Sequence, residues 1–208
     1  LNRDLDLIDS FKVKRNSVFS NFFDDYETDD SLLFEAIGIA DTLFPINKII
    51  ADKPVNMVYR KIKKDKRASH LIYHVSETEK LVLCFKDSAY AYLHKVPVDT
   101  IQRAIYATID NTLYHSILAA NTSYELGIKL SEVFAWQVNF FRIDKNDFFK
   151  VIFNEYQVNG KAIDIGEIKA ALFYHRGDSF YAFPYNKGGD VGYFDDQGQN
   201  LKKAFLKA

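Results

Sequence analysis

The Asn159-Gly160 pair limits what this chain can fold into more than any other short stretch of its sequence. A tight two-residue hairpin turn needs left-handed backbone angles at both central positions, and Asn and Gly tolerate those angles best. Aromatic and β-branched residues, which favour strands, lie on both sides of the pair. Further turn signals follow at Gly177-Asp178, Gly188-Gly189-Asp190 and Asp195 to Gly198. The last third of the chain is therefore predicted to form a curved antiparallel sheet of short aromatic strands.

Two apolar repeats in the first half predict short helices. Apolar residues recur at one-turn spacing between Val18 and Tyr26 and again between Leu32 and Leu43. The candidate N-cap residues are Asn16 or Ser17 for the first helix and Asp30 or Ser31 for the second. Pro45 ends the second helix because its ring cannot continue the backbone hydrogen-bond ladder.

Predicted strands at Leu5 to Arg15 and Pro54 to Arg60 enclose these helices. Strand-helix-helix-strand is the layout of the small glycan-binding LysM modules, and many other α+β units share it. Strands separated by polar turns continue from Ser69 to Val98, where the side chains follow a period of two. We expect a LysM-like domain over residues 1–97, with a boundary that is fixed only to within about twenty residues.

The second half, residues 98–208, is predicted to begin with two short helices. They span Thr112 to Leu118 and Ser123 to Trp136, and Thr122 and Glu125 have the spacing of a capping box for the second. The stripe that this helix is expected to bury consists of Leu126, Leu130, Val133 and Phe134. The predicted fold class is therefore α+β, with a LysM-like strand-helix-helix-strand domain followed by a mainly antiparallel β domain with two short helices.

Length and composition exclude several classes of protein. With 208 residues, of which 48% are hydrophobic, the chain can build one large core or two small ones. The 27 basic residues nearly cancel the 28 acidic ones, which argues against a nucleic-acid partner held by a broad cationic surface. No apolar run reaches the roughly 18 to 20 residues of a transmembrane helix. Cys84 is the single cysteine, so an intrachain disulfide is impossible. It is predicted to be a small core thiol.

The histidines do not have the spacing of a metal site. They are His70, His74, His94, His115 and His175. The flanking residues favour a strand for His70 and His74, which then lie about 13 Å apart, too far to share an ion. The other three lack an acidic or cysteine partner at ligand spacing, so we expect them at the surface or half-buried. No nucleophile-elbow or phosphate-loop phrase occurs either. The sequence therefore assigns no catalytic and no metal-binding residue, and any binding residues stay unidentified.

Three clusters of similar residues have both a structural and a functional interpretation. The acidic stretch Asp24 to Asp30 lacks the ligand spacing of an EF-hand, so it is interpreted as a solvated connection. The basic stretch Lys61 to Arg67 fits an exposed hairpin tip better than a site for an anionic polymer. The aromatic residues between Phe140 and Phe194 alternate along strands, so most are expected in the core. Rings that bind a sugar would belong to the outward half.

Five phrases of the second half occur in the order and spacing of a known family. They are Val133 to Phe141, the hairpin Phe148 to Tyr174, Phe180 to Phe183, Tyr193 to Gly198, and Ala204 to Ala208. In these phrases the chain resembles the N-terminal, non-catalytic domains of lysostaphin/LytM-type zinc metallopeptidases, which are peptidoglycan DD-endopeptidases of the bacterial envelope. Gln137 and Asn139 stand where the family usually shows acids. The first half resembles the family by layout only.

This resemblance implies a regulatory rather than a catalytic segment. The zinc ligands of the family, an H-x-x-x-D pair and an H-x-H phrase, do not occur in the 208 residues, so zinc is expected only in a peptidase domain that is absent here. Residues 1–97 would be an inhibitory-type domain, and residues 98–208 an α+β linker domain that precedes the peptidase domain. That domain would be the partner, and the chain would regulate or position it in the periplasm or cell envelope. Export would also explain why the chain begins with Leu1 rather than Met.

The alternative function comes from a different class. The LysM-like half would bind glycan strands of peptidoglycan, because the strand-helix-helix-strand order is combined with abundant aromatic residues. An envelope scaffold whose peptidase has decayed is a third candidate.

Overall fold

The computed structural model describes residues 6–187 and 190–202. The chain forms two compact units, Leu1–Pro97 and Val98–Ala208, and each is described by itself. The phrase Ala204 to Ala208 and the predicted turn at Gly188-Gly189 lie outside the described residues. In the described part of the chain, no helix combines the length and the apolar character that crossing a membrane requires.

The first unit is built on an antiparallel sheet of five strands in the order β1-β2-β3-β4-β5. The strands are β1 (Leu7–Lys12), β2 (Pro54–Ile62), β3 (Asp65–His74), β4 (Glu79–Phe85) and β5 (Ala89–Lys95). Each strand from β2 onward pairs with the strand before it. The predicted strands of the first half are therefore confirmed, and the sheet continues for three strands beyond the strand-helix-helix-strand order.

Three helical segments connect β1 to β2. A 3-10 helix spans Phe19–Phe23, and α1 spans Asp30–Leu43. The Asp29 carboxylate accepts a hydrogen bond from the Leu32 amide at 3.1 Å, so α1 is capped by the residue before the predicted caps. A second 3-10 turn, Ile46–Lys48, follows Pro45.

Both predicted caps of the first helix are wrong, because Val18 occupies the N-cap position and the Ser17 hydroxyl donates to the Lys14 carbonyl at 2.7 Å. Asn16 has a φ of 60°, which is left-handed, whereas an N-cap residue needs an extended backbone. The Asn21 side chain instead accepts a hydrogen bond from the Val18 amide at 3.0 Å. The short 3-10 helix places three phenylalanine rings, Phe19, Phe22 and Phe23, in the core.

The core of the first unit lies on the face of the sheet that carries α1. Alternate residues of β3, such as Leu71 and Tyr73, are buried there. Their neighbours His70, Ile72 and His74 point to the opposite face and are half-buried, as the period of two predicts. Cys84 is a free, buried thiol, as predicted.

The second unit contains another antiparallel sheet of five strands, in the order β10-β9-β8-β7-β6. The strands are β6 (Asp99–Thr108), β7 (Phe148–Val158), β8 (Lys161–His175), β9 (Asp178–Lys187) and β10 (Asp190–Phe194). The predicted Asn159-Gly160 turn joins β7 to β8, with φ angles of 51° and 76°. The next turn falls at Arg176 and Gly177 rather than at Gly177-Asp178, with φ angles of 54° and 95°.

The helices α2 (Leu113–Ala119) and α3 (Tyr124–Val133) lie between β6 and β7, close to the predicted spans. The predicted cap of α3 is wrong by one residue, because the Ser123 hydroxyl accepts the hydrogen bond from the Glu125 amide. The Thr122 hydroxyl is buried and has no hydrogen-bond partner among the described residues. The predicted stripe Leu126, Leu130, Val133 and Phe134 is buried, as expected.

These helices cover one face of the second sheet. Their buried residues share a core with alternate residues of β7 and β8, including Phe149, Phe153 and Phe173. Gly127 allows the helices to approach closely, because a Cβ there would lie 2.8 Å from the Ile117 side chain. The residues between the core positions of each strand point away from the helices, to the opposite face.

Candidate binding surface

The outward face of the second sheet carries a concentration of aromatic residues. They are Tyr106, Phe148, Tyr174, Tyr181, Phe183, Tyr185 and Phe194. We call this surface the aromatic face. Tyr106 and Tyr185 are the most open of these rings, with 60% and 62% of their surface exposed. The sequence predicted an outward half of the aromatic residues, and the strand registers now identify its members.

The strand register places these side chains in rows across the sheet. One row runs Tyr106, Lys150, Leu172, Tyr181, and the next runs Thr108, Phe148, Tyr174, Ser179. Phe183 and Phe194 lie opposite each other on β9 and β10. Directly opposed residues have Cβ atoms about 4.5–5.5 Å apart, so the side chains of each row lie next to one another. Among the residues of these two rows, Lys150 is the one charged side chain.

Four rings of the aromatic face stack in two pairs. Phe148 and Tyr174 stack with centroids 4.9 Å apart and planes 11° apart. Tyr181 and Phe183 are also nearly parallel, at 6.4 Å and 8°. The Lys150 ammonium lies 5.8 Å from the centroid of Tyr106, which turns the cation toward the edge strand β6. The centre of the surface is therefore apolar and uncharged.

His175 occupies a different environment from the one predicted. It is buried, and its Nδ1 lies 2.7 Å from a carboxylate oxygen of Asp147, although no acidic partner was expected. The hairpin register explains this pairing, because Phe148 lies opposite Tyr174 and the next residues outward are Asp147 and His175. The same carboxylate accepts a hydrogen bond from the Asp144 amide at 2.7 Å. The pair therefore fastens the loop before β7 to the end of β8.

The exposed Arg176 adds a second link between the same two segments. Its Nε donates to Asp144 at 2.8 Å, and this charge-assisted hydrogen bond holds the pKa of the Asp144 carboxyl below its usual value. The loop carries Phe140, which packs edge-on against Phe173, and Phe141, whose side chain is fully exposed at 101%.

The two polar residues of the phrase Val133 to Phe141 have structural contacts. The Gln137 amide donates to the Leu201 carbonyl at 2.8 Å, and its own oxygen is buried without a hydrogen-bond partner among the described residues. Asn139 accepts a hydrogen bond from the Phe141 amide at 3.1 Å. A carboxylate at position 137 has no proton with which to bind Leu201, so the amide has a specific role here.

The other histidines are placed as the strand and helix patterns predict. His70 and His74 lie on β3, four residues apart on one face, and the pKa of each is lowered mainly because burial disfavours the charged ring. His94 and His115 are exposed. Within residues 6–187 and 190–202, no three histidine, cysteine, aspartate or glutamate side chains are grouped closely enough to hold a metal ion.

The two charged stretches lie where the sequence placed them. The acidic residues of Asp24 to Asp30 are exposed in the connection between the 3-10 helix and α1. The basic stretch Lys61 to Arg67 forms the end of the β2–β3 hairpin and is mostly exposed. Lys66 is an exception, since its ammonium contacts Asp9 at 2.6 Å and lies over the rings of Tyr26 and Tyr59.

The chain resembles part of larger bacterial peptidases. The peptidoglycan DD-endopeptidase ShyC of Vibrio cholerae is 30% identical to it over 147 residues, which are 70% of this chain and 34% of ShyC. No protein-family model matches the chain. The predicted resemblance to the N-terminal region of a lysostaphin/LytM-type zinc metallopeptidase is confirmed.

Two solved structures share the fold. A zinc-containing peptidase from Vibrio cholerae matches 95% of this chain and 60% of its own, with a TM-score of 0.56 and 19% identity. Helicobacter pylori Csd3, in its hexagonal crystal, matches 90% of this chain and 50% of its own, with a TM-score of 0.55 and 14% identity. The chain thus spans about a third of ShyC, and 60% and 50% of the chains in these two structures.

Proposed function

We propose that this chain is the non-catalytic regulatory or positioning region of an exported peptidoglycan metalloendopeptidase of the bacterial envelope. The observation that carries the proposal is the match to 34% of ShyC, combined with a sequence that lacks the family's H-x-x-x-D and H-x-H phrases. Zinc belongs, in this proposal, to a peptidase domain of the parent protein. The first unit would act as the inhibitory, LysM-like domain and the second as the linker domain.

The aromatic face supports the positioning role. Exposed apolar side chains that are grouped on one face of a sheet are typical of an interaction site. The rings of Phe148 and Tyr174 are stacked on each other, so they offer their edges rather than their faces to a partner. Ring edges and aliphatic side chains such as Ile152 pack well against a folded protein surface, whereas a sugar ring stacks on an open ring face. The proposed occupant is therefore the peptidase domain.

A reconstitution experiment tests this proposal. The purified chain should release no muropeptides from peptidoglycan, with or without added zinc, and should slow a separately produced peptidase domain of the parent protein. The double variant Tyr181→Ser/Phe183→Ser should weaken this inhibition, because it removes two rings from the aromatic face. Tyr114→Ser/Tyr124→Ser is the matched control, since both rings are exposed and belong to the second unit but lie on α2 and α3, away from the aromatic face.

Two results would contradict the proposal. Release of muropeptides by the chain alone would show that it is catalytic. An unchanged rate of the peptidase domain at high micromolar concentrations of the chain would rule out a direct regulatory contact.

A glycan-binding role for the first unit is the second candidate function. One observation favours it, namely that Tyr90 and Tyr92 form an exposed pair on the edge strand β5, with centroids 6.3 Å apart and planes 17° apart. These centroids are farther apart than the 4.9 Å between Phe148 and Tyr174, so the two rings cover each other less and leave more of their faces open to a sugar ring. In this case the wild-type chain should sediment with insoluble peptidoglycan, and the Tyr90→Ser/Tyr92→Ser variant should not. The glycan hypothesis fails if the wild-type chain stays in the supernatant.

A further inference from the structure

The outer face of the first sheet, opposite α1, carries a line of basic side chains. The register places His74 opposite Lys80 and Lys80 opposite His94, so the three side chains lie side by side across β3, β4 and β5. Opposed residues in a sheet have Cβ atoms about 4.5–5.5 Å apart, within reach of a single ligand group. We call these three residues the basic row. Neither proposed function above uses them.

Hydrogen bonding fixes which nitrogen of His74 can bind a proton. Its Nε2 lies 2.8 Å from the Asn56 side-chain oxygen, and the Asn56 amide donates to the Ser10 hydroxyl at 2.7 Å. Because the Asn56 oxygen only accepts, Nε2 carries the hydrogen in the neutral ring. The proton gained on charging therefore goes to Nδ1, and charged His74 becomes a donor with both nitrogens.

The charges around the basic row are unbalanced. Lys80 and Lys53 act on His74 as cations, and the exposed Glu77 acts as the opposing anion. On the other face of the sheet Glu79 lies opposite Lys95, so those two residues offset each other. With His74 neutral, Lys53, Lys80 and Glu77 sum to +1, and protonation of His74 raises the sum to +2. Like charges in directly opposed positions are destabilising, so the row gains most from a bound anion when His74 is charged.

We propose that the basic row binds an oxyanion carried by a sugar polymer, with the polymer lying along the neighbouring Tyr90 and Tyr92 rings. Lys80 supplies the permanent charge, His94 supplies a ring at the outer end of the row, and His74 gains a second donor when it is protonated. Tyr92 lies two residues before His94 on β5, so both side chains point to the same face. A sugar polymer that carries an anionic group can therefore contact the basic row and the rings of Tyr90 and Tyr92 at the same time. The inference goes beyond the proposed regulation of a peptidase and does not depend on it.

Binding should become stronger as the pH falls. Burial and Lys80 hold the pKa of His74 below the ordinary value, so the ring is neutral at neutral pH. A bound anion favours the charged ring and must raise the pKa of His74, because proton and anion binding are linked. Affinity therefore increases as the pH drops through the histidine range.

Three soluble probes separate the parts of this proposal. Oligogalacturonate carries carboxylates on sugar rings, chitotetraose is a neutral sugar, and polyphosphate is an oxyanion without sugar. We expect oligogalacturonate to bind about tenfold more tightly at about pH 5.5 than at about pH 7.5, and to raise the NMR-measured pKa of His74. The Lys80→Gln and His94→Gln variants should lose this binding, whereas Lys64→Gln, at the exposed hairpin tip, should retain it.

Each contrary result overturns a stated part of the inference. Equal binding of chitotetraose would exclude the role of charge, and equal binding of polyphosphate would exclude the role of the sugar. Absence of oligogalacturonate binding at both pH values would overturn the site as a whole. None of these results bears on whether the chain inhibits a peptidase domain.

Discussion

Glu155 is a carboxylate that lies almost wholly inside the second unit, with 2% of its surface exposed. Arg103 reaches it from the edge strand β6 with a 2.6 Å contact, and the Gln157 side chain donates to its other oxygen at 2.7 Å. The Arg103 guanidinium also lies 5.9 Å from the Phe153 centroid and donates to the Asn121 carbonyl at 3.3 Å. One side chain thus neutralises a buried charge and fastens the loop between α2 and α3.

Replacing Arg103 by alanine should be strongly destabilising. The change leaves the Glu155 charge buried without its cation, a situation that typically costs about 3–5 kcal/mol. The free energy of unfolding in urea measures the effect. Arg176→Ala is the matched control, because the Arg176–Asp144 pair is exposed on both sides and should matter much less. Equal losses in the two variants would contradict this account of Glu155.

Neither the Arg103–Glu155 pair nor the His175–Asp147 pair is evident from local sequence. Arg103 and Glu155 are 52 residues apart, and His175 and Asp147 are 28 residues apart. The second pair could have been found by extending the register of the Asn159-Gly160 hairpin to its open end. The first requires the position of β6, which the sequence did not assign to a strand.

At the scale of elements, the sequence predicts the strands and helices whose apolar residues recur with a strong period, and it misses those with a weak one. The strand β3 and the buried stripe of α3 follow from their apolar spacing. The strand β6 was missed because it is an edge strand whose residues are mostly exposed, so that polar residues interrupt the alternation. The caps of α1 and α3 were each misplaced by one residue, since Asp29 and Ser123 have neighbours that can also cap.

The caps of α3 lead to a prediction at this scale. Ser123→Ala should lower the free energy of unfolding by about 1 kcal/mol, because the hydroxyl satisfies a free amide at the helix start. Thr122→Ala should be neutral or slightly stabilising, since the Thr122 hydroxyl is buried without a hydrogen-bond partner among the described residues. Urea unfolding of the two variants provides the comparison. If Thr122→Ala were the more damaging change, the capping box expected from Thr122 and Glu125 would be right after all.

At the scale of the whole molecule, each unit has its own hydrophobic core. The core residues of the first unit lie between Val13 and Phe85, and those of the second between Ile105 and Leu201. The one tryptophan of the chain, Trp136, belongs to the second unit, so its fluorescence follows the unfolding of that unit. Circular dichroism reports on both units.

Separate cores predict separate unfolding transitions. Leu81→Ala removes a fully buried side chain from the first core and should cost that unit about 2–5 kcal/mol, leaving the Trp136 fluorescence transition unchanged. Phe173→Ala in the second core should shift the fluorescence transition by a similar amount. A Leu81→Ala variant whose fluorescence and circular dichroism shift together would show that the two units unfold as one.

The hydrogen bond from Gln137 to the Leu201 carbonyl has a mechanical consequence. Since its acceptor is the main chain, the bond does not depend on which side chain occupies position 201. The Leu201 amide is also held, by the Tyr193 carbonyl at 2.9 Å. Tension applied to the chain after Lys202 is therefore carried at this point by the segment that follows α3 and by β10 together. A force applied from that side therefore acts on the segment that follows α3 and on β10 at the same time, and it does not separate the edge strand from the sheet one residue at a time.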